Sequence, residues 1–260
     1  MVLVPVRSPF DAPVYHAGVT GSTMDVAKEL AERGEPDGTV IVADYQEQGR
    51  GRFADRRWLS GAGESLLFTI FFRYRDFSEI PVALTLRAGL AVSAAVDGFV
   101  APEKTAVKWP NDILAGGKKL AGILAEAVSN TVYIGVGVNV LQERFPSGAD
   151  PLARAGSIAS ALKDSGQVYT PLGDGTRFLL LEKILAELDG ELRNEACARD
   201  WRARLEDRLF MRGQEVDFAP GGRGTEDVVR GIVTGITDGG GLVLQTAAGE
   251  KTFISGEIRL

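Results

Sequence analysis

Two apolar runs, residues 38–45 and 65–73, flank a segment rich in arginine and glycine, and this arrangement restricts the possible folds more than any other feature. Both runs are rich in β-branched and aromatic residues and have the length of buried strands. We therefore predict two strands of one sheet, joined by the arginine-rich loop. Polar side chains of that loop are expected at the end of the sheet.

The remaining patterns alternate between helix and strand. Ser22, with Asp25 three residues later, predicts a helix start, and Gly34 predicts its end. Gly116-Gly117 predicts a tight turn before a hairpin. Further predicted elements are a long buried helix over residues 82–100, a short strand over 107–109 ended by a turn at 110–112, hairpin strands over 119–127 and 131–140, and helices within 158–198.

The last part of the chain has a different composition. Residues 213–260 contain short β-type runs separated by glycine-rich turns, which predicts a small five-stranded barrel or sandwich. Fewer than about 50 residues bury little apolar surface, so this unit is expected to pack on the larger one. The predicted domains are residues 1–211 and 212–260.

Composition excludes several classes of function. There are 29 Lys and Arg against 35 Asp and Glu, a net charge of −6, so no basic footprint for nucleic acid is expected. The single cysteine, Cys197, and single histidine, His16, argue against disulfides, zinc sites and histidine-based triads. Neither a signal peptide nor an apolar stretch of membrane-span length is predicted, which favours the cytoplasm.

The loop itself is suited to an anion. Gly49 and Gly51 allow the backbone to approach a ligand closely, Arg50 and Arg52 offer planar charged groups, and Trp58 offers a flat face for a base. The plainer interpretation is a solvated surface loop. We assign no role to Arg56 and Arg57.

Three other segments place polar groups at the ends of predicted elements. They are Ser22-Thr23, the run Lys108-Trp109-Pro110-Asn111-Asp112, and the run Lys118-Lys119-Leu120-Ala121-Gly122. Taken singly, they have structural explanations: a helix cap, core packing around Trp-Pro, and a solvated hairpin.

In this order, the segments resemble the catalytic domain of the biotin protein ligases. The resemblance covers residues 18–139 and includes Gln-x-x-Gly-Arg-Gly-Arg, Lys-Trp-Pro-Asn-Asp, Lys-Leu-Ala-Gly-Ile-Leu-x-Glu and Gly-x-Gly-x-Asn. Met24 departs from the asparagine usual in that family. Residues 253–258 resemble, less specifically, the end of the family's C-terminal domain. The resemblance implies an α+β fold: a mixed β-sheet with flanking helices, like the class II aminoacyl-tRNA synthetases, plus a small C-terminal SH3-like β-barrel.

The resemblance also implies a reaction. Biotin's carboxylate would attack the α-phosphate of ATP, with Mg²⁺, to give biotinyl-5′-AMP and pyrophosphate. A specific lysine of a biotin carboxyl carrier protein domain, in acetyl-CoA carboxylase or a related carboxylase, would then take the biotinyl group. Monomer and homodimer both occur in the family, and the sequence leaves the choice open.

The family's motifs assign expected roles to individual residues. Lys119 and Arg52 would be catalytic, and Asp112 would help with the metal or only stabilise its turn. Residues 49–57 are expected to be mobile without ligand and to order over the adenylate. The expected biotin-binding residues are Ser22, Thr23, Met24, Gln46, Gly49, Arg50, Gly51, Arg52, Lys119, Gly122 and Gly137, and the expected nucleotide-binding residues are Arg50, Trp58, Asn111 and Asn139.

Three alternatives stand beside this interpretation. A lipoate ligase shares the fold type, but the Gly-Arg-Gly-Arg loop and the Lys-Trp-Pro-Asn-Asp segment argue against it. A repressor would need an N-terminal helix-turn-helix, and about twenty residues before the Ser-Thr helix are too few. A non-catalytic binding module would show a degenerate site, whereas Gln46, Arg50, Arg52 and Lys119 are all present.

Overall fold

The fold was analysed in a computed structural model that describes residues 1–53, 57–101, 104–145, 155–166, 172–173, 175–221 and 227–259. Its helices are α1 (Thr23–Glu32), α2 (Leu84–Val100), α3 (Ile158–Asp164), α4 (Thr176–Arg193) and α5 (Glu195–Glu206). Its strands are β1 (Val2–Leu3), β2 (Val14–Thr20), β3 (Val40–Gln46), β4 (Ser65–Arg73), β5 (Ala106–Lys108), β6 (Asp112–Ala115), β7 (Lys118–Val128), β8 (Thr131–Asn139), β9 (Glu215–Ala219), β10 (Val229–Ile236), β11 (Leu242–Thr246), β12 (Gly249–Phe253) and β13 (Glu257–Arg259).

The larger part of the chain forms one mixed sheet of eight strands. Their order is β1-β2-β3-β4-β8-β7-β6-β5, in which β2 and β3 are parallel and the other neighbours are antiparallel. The parallel pair follows from α1, which connects β2 to β3 as a crossover. The predicted α+β class with flanking helices is confirmed.

The two faces of this sheet are covered unequally. On one face, α2, α3, α4 and α5 build the main core, with residues such as Phe68, Val92 and Leu185 almost fully buried. On the other face, α1 packs a smaller cluster that includes Met24, Leu30 and Phe71. Because α1 spans only part of its face, strands β4, β7 and β8 remain open beyond its N-terminus.

Several local predictions are confirmed. Ser22 caps α1 by accepting a hydrogen bond from the Met24 amide, and Gly34 follows the helix with φ of 86°. Gly116 and Gly117 both have positive φ and form the turn between β6 and β7. Among the described residues after 158, the predicted helical stretch forms three helices, α3 to α5.

Other details differ from the prediction. Strand β2 was not anticipated, and Asp112 begins strand β6 instead of ending a turn. Asp25 does not form a capping box with Ser22. Its carboxylate binds Arg50 instead. These differences arise because strand pairing and long-range ion pairs outweigh local preferences.

The sequence predicts no apolar stretch of membrane-span length, and this prediction is wrong: judged by length and composition alone, one stretch could cross a membrane. The stretch Phe77–Val100 is long and apolar enough, but 61% of its apolar 18-residue portion is buried within the protein. Helix α2 is hydrophobic because it packs between the sheet and the helices α3, α4 and α5.

The C-terminal unit is a five-stranded antiparallel sheet with the order β12-β11-β10-β9-β13, consistent with the SH3-like barrel. It packs on the larger unit as predicted. The Trp109 indole donates to the Gly240 carbonyl at 2.9 Å, and its ring lies 5.9 Å from that of Phe218. The proposed boundary after residue 211 falls between α5 and β9 and remains a prediction.

Candidate active site

A cleft of about 550 Å³ lies on the open part of the sheet, within the size range of small-molecule sites. Its walls are the N-terminus of α1, the loop after β3, the β6–β7 hairpin and the centre of β4, β7 and β8. Predicted site residues that line it are Ser22, Thr23, Met24, Gln46, Arg50, Gly51, Arg52, Trp58, Asn111, Asp112, Lys119, Gly122, Gly137 and Asn139. The tertiary structure therefore brings together nearly all of them.

One end of the cleft is neutral and tightly hydrogen-bonded. Gln46 Oε1 accepts from the Thr23 amide at 2.7 Å and from the Thr23 hydroxyl at 3.0 Å. The Thr69 hydroxyl lies 2.9 Å from that of Thr23. Thr23 and Thr69 are buried, so these bonds act in a medium of low dielectric constant.

Met24 closes the same end of the cleft. Its side chain is buried in the smaller cluster, and its terminal methyl group approaches Gly135 so closely that an added Cβ there would lie 3.0 Å away. Where the family usually has asparagine, this chain thus has a packed apolar group.

The other end of the cleft is charged. Lys119 Nζ lies 2.6 Å from Asp112 Oδ1, across the hairpin formed by β6 and β7. Both side chains are mostly buried, at 26% and 14% exposure. The ammonium also lies 5.9 Å from the centre of the Trp58 ring. Asp112 thus has a partner in this structure, and that partner is the residue predicted to be catalytic.

Arg50 lies at the mouth of the cleft and is held there by acidic residues. It binds Asp25 of α1, and its second terminal nitrogen lies 3.9 Å from Glu126 Oε1. Glu126 in turn binds Lys28 at 2.6 Å. Arg50 therefore reaches across the cleft's rim instead of into its interior.

Arg52 connects the loop to the C-terminal unit. One of its terminal nitrogens donates to the Gly256 carbonyl at 2.6 Å, and its guanidinium lies 4.5 Å from the Phe53 ring centre. The side chain also lines the cleft, so the catalytic role predicted for it remains a prediction.

The Trp58 indole lies on Gly122 and Gly137, two of the residues predicted to bind biotin. A Cβ added to Gly137 would lie 2.8 Å from the ring, and one added to Gly122 would lie 3.2 Å from it. Gly49 is held near this tryptophan, since the Trp58 amide donates to the Gly49 carbonyl at 3.1 Å. The group that approaches both glycines is the Trp58 ring, and their contact with biotin remains a prediction.

Both asparagines support the walls of the cleft. Asn111 Nδ2 donates to the Ile123 carbonyl at 2.9 Å, and Asn139 Nδ2 donates to the Gly156 carbonyl at 2.9 Å. Asn139 Oδ1 also accepts from Gln142 Nε2 at 3.1 Å. These bonds fix both asparagines in the cleft wall, and their contact with a nucleotide remains a prediction.

An ionic network supports the far side of β3, two residues before Gln46. Asp44 Oδ1 lies 3.0 Å from His16 Nε2 and 2.8 Å from a terminal nitrogen of Arg177. Burial alone would raise the pKa of Asp44, but the hydrogen bonds from His16 and Arg177 outweigh it and lower that pKa below its usual value. The only histidine thus lies outside the cleft lining.

Sequence reasoning missed Thr69, Leu67 and Gly135, all of which line the cleft. Each lies within an apolar strand, where its pattern is that of ordinary core. The available signal for Thr69 was a polar residue inside the otherwise apolar run of residues 65–73. Of the loop predicted to be mobile, residues 54–56, including Arg56, lie outside the described residues; Arg57 is exposed and borders the cleft.

Two sequence families match this chain. The Biotin/lipoate A/B protein ligase family matches residues 17–139, and the Biotin protein ligase C terminal domain matches residues 221–260. The biotin–[acetyl-CoA-carboxylase] ligase of Mycobacterium tuberculosis is 36% identical over 251 residues, which are 92% of this chain and 85% of that protein.

Two further relatives agree with this match. The bifunctional ligase/repressor BirA of Bacillus spizizenii is 32% identical over 93% of this chain and 72% of its own. The biotin protein ligase of Aquifex aeolicus, solved in complex with biotin and ATP, has a TM-score of 0.74 and 27% identity, covering 94% of this chain and 97% of that one. On this evidence the chain belongs to the biotin protein ligase family.

Proposed function

We propose that this protein is an ATP-dependent biotin protein ligase that forms biotinyl-5′-AMP and transfers biotin to a lysine of a carboxylase carrier domain. The observation that supports this most is the polarity of the cleft. A neutral, hydrogen-bonding end suits biotin's ureido head, and a cationic end at Lys119 suits its carboxylate and a phosphate. The glycines between them would leave room for an apolar tail once the Trp58 ring moves away from them.

Lys119 is the proposed electrostatic catalyst of adenylate formation. Its compact ammonium would balance the negative charge that builds up between the carboxylate oxygen and the α-phosphorus as pyrophosphate leaves. Asp112, 2.6 Å away, holds the ammonium in place on the β6–β7 hairpin. The Asp112 carboxylate would thus act on the reaction through Lys119.

Magnesium enters this proposal with the nucleotide, as part of the MgATP substrate. Among the residues that the structure describes, no group of three or more His, Cys, Asp or Glu could hold a metal ion. Asp112, the carboxylate predicted to help with the metal, is already paired with Lys119. The described residues therefore fit poorly to a metal held by protein groups alone.

Trp58 would change its position during the cycle. Its ring lies where the tail of a ligand would pass over Gly122 and Gly137, so binding requires the indole to leave this position. The flat ring would then be available to stack on adenine, and the loop that carries it would exclude water from the mixed anhydride.

In the second half-reaction, the acceptor lysine attacks the carbonyl carbon of the adenylate and AMP leaves. The proposed partner is a biotin carboxyl carrier domain, and the proposed compartment is the cytoplasm.

Lipoate ligation is the nearest alternative. It is disfavoured because a dithiolane ring offers no hydrogen-bonding carbonyl to the Thr23–Gln46 pair.

The test is direct. The purified protein is incubated with biotin, MgATP and a carrier domain, and mass spectrometry is used to look for a single biotinyl addition. Lipoate competes in a parallel reaction. Addition of biotin but not of lipoate supports the proposal; no biotinyl addition, or preferential lipoylation, would overturn it.

A further inference from the structure

The polar atoms at the neutral end of the cleft form a chain whose direction can be deduced. The backbone N–H of Thr23 can only donate, so the Gln46 atom 2.7 Å from it must be the carbonyl oxygen Oε1. That oxygen can only accept. The Thr23 hydroxyl, 3.0 Å away, therefore gives its single hydrogen to Gln46.

This assignment determines what Thr69 does. Its hydroxyl lies 2.9 Å from Thr23 Oγ1, whose hydrogen is already committed to Gln46. Thr69 must therefore be the donor. The hydrogen bonds run in one direction, from Thr69 to Thr23 to Gln46, and each bond polarises the next one.

This chain of hydrogen bonds leaves one group of Gln46 available to a ligand. Its amide nitrogen, Nε2, makes no hydrogen bond within the part of the chain that the structure describes, and Gln46 lines the cleft. This nitrogen carries two hydrogens and can only donate. The neutral end of the cleft therefore presents a donor, suited to an acceptor such as a ureido carbonyl.

We infer that Thr69 is a positioning residue for substrate selection: its hydroxyl holds Thr23 and Gln46 in the orientation that directs the Gln46 amide nitrogen toward the ligand's carbonyl. Thr69 is fully buried in the middle of β4, so its position is fixed by the sheet. The inference rests on the proposed function, because it takes biotin as the ligand.

The inference is tested with Thr69→Val, which keeps the side-chain shape and removes the hydroxyl. The dissociation constants of biotin and 2-iminobiotin are measured on the same preparation. At neutral pH the imino analogue replaces the ureido oxygen with a cationic donor, so a donating site rejects it. Because the ratio comes from one preparation, a partly unfolded sample does not alter it.

Thr69→Val is expected to weaken biotin binding about fivefold to tenfold, the effect of one neutral hydrogen bond, and to lower the preference for biotin over 2-iminobiotin by a similar factor. At saturating biotin, kcat and the KM for ATP should stay within twofold of wild type. Thr69→Ser, which keeps the hydroxyl, should retain wild-type affinity and preference. Thr131→Val is the matched control, a buried threonine of β8 outside the cleft lining, and should behave like wild type.

Two results would overturn the inference: affinity and preference within twofold of wild type in Thr69→Val, or an equal loss in Thr69→Ser. If Thr69→Val does not accumulate as folded protein, Thr69→Ala is measured in the same way and judged by the same criteria. A wild-type protein that binds no biotin would instead refute the proposed function, and this inference with it.

Discussion

The neutral end of the cleft and the rim of the cleft are held by different interactions. At the neutral end, Thr23 and Thr69 are 4% and 0% exposed, and their hydrogen bonds keep a fixed direction. At the rim, the Arg50 and Asp25 side chains are 39% and 45% exposed, so solvent and salt screen their attraction. On the proposed function, the rigid end would select the ligand, whereas the loosely held rim would leave a charge free to move onto a phosphate.

The exposure of the Lys119 side chain lies between those of Thr69 and Arg50. Its substitution should give the largest effect of the three described here. Lys119→Ala removes the preorganised cation and is expected to slow adenylate formation by about 10²–10³. Single-turnover measurement of pyrophosphate release would report this directly. Lys118→Ala is the matched control, because that neighbouring lysine binds Asp164 at the surface. A rate within threefold of wild type for Lys119→Ala would remove this residue from the charged end's chemistry.

Asp112→Asn tests whether catalysis by Lys119 requires Asp112 to hold its ammonium in place. Removing the charge that holds Lys119 should lower kcat about tenfold, an effect between those of losing an exposed and a buried ion pair. The Mg²⁺ concentration needed for half-maximal activity should not change, and Asp112→Glu should restore part of the rate. A raised Mg²⁺ requirement with normal kcat would make Asp112 a metal ligand and contradict its positioning role.

Asp25→Asn should have the smallest effect. Unlike the other two substitutions, it should favour the use of ATP instead of slowing the reaction. It releases Arg50 from the rim of the cleft, so the KM for ATP is expected to fall about twofold to threefold at low salt, since exposed pairs contribute up to about 1 kcal/mol. The difference should vanish near 1 M salt, where charges are screened over about 3 Å. Glu29→Gln, on the same helix and paired with Arg33, is the control. A raised KM would mean that Asp25 holds Arg50 in its working position.

Much of the site could be predicted from the sequence because its chemistry is concentrated in short segments. Gln46, Lys119 and the loop residues Arg50, Gly51 and Arg52 belong to segments with unusual residue types at fixed spacings, and all five line the cleft. Thr69 and Gly135 could not be found in this way. In an apolar strand, the face that a residue presents is decided by the sheet's register, and these two face the cleft opposite Met24.

The roles of the arginines show the same limit. From sequence, Arg50 and Arg52 are equivalent cations in one loop. In the structure, one binds Asp25 and the other binds the Gly256 carbonyl, which is 204 residues away along the chain. No local pattern predicts these partners, because Asp25 meets Arg50 only when helix α1 and the loop are packed side by side, and Gly256 meets Arg52 only when the two units are packed together.

By itself, the sequence determined the fold class, the two-part organisation and the chemical character of the site. The order of helices and strands follows from apolar periodicity and glycine turns, whereas the fold class and the expected site roles follow from short motifs that resemble those of a known family. Only the tertiary structure decided where each group points: Trp58 onto the glycines, Asp112 toward Lys119, and the hydrogen-bond chain from Thr69 to Gln46. Direction depends on contacts between distant strands and helices, and so it emerges only when the sheet is assembled.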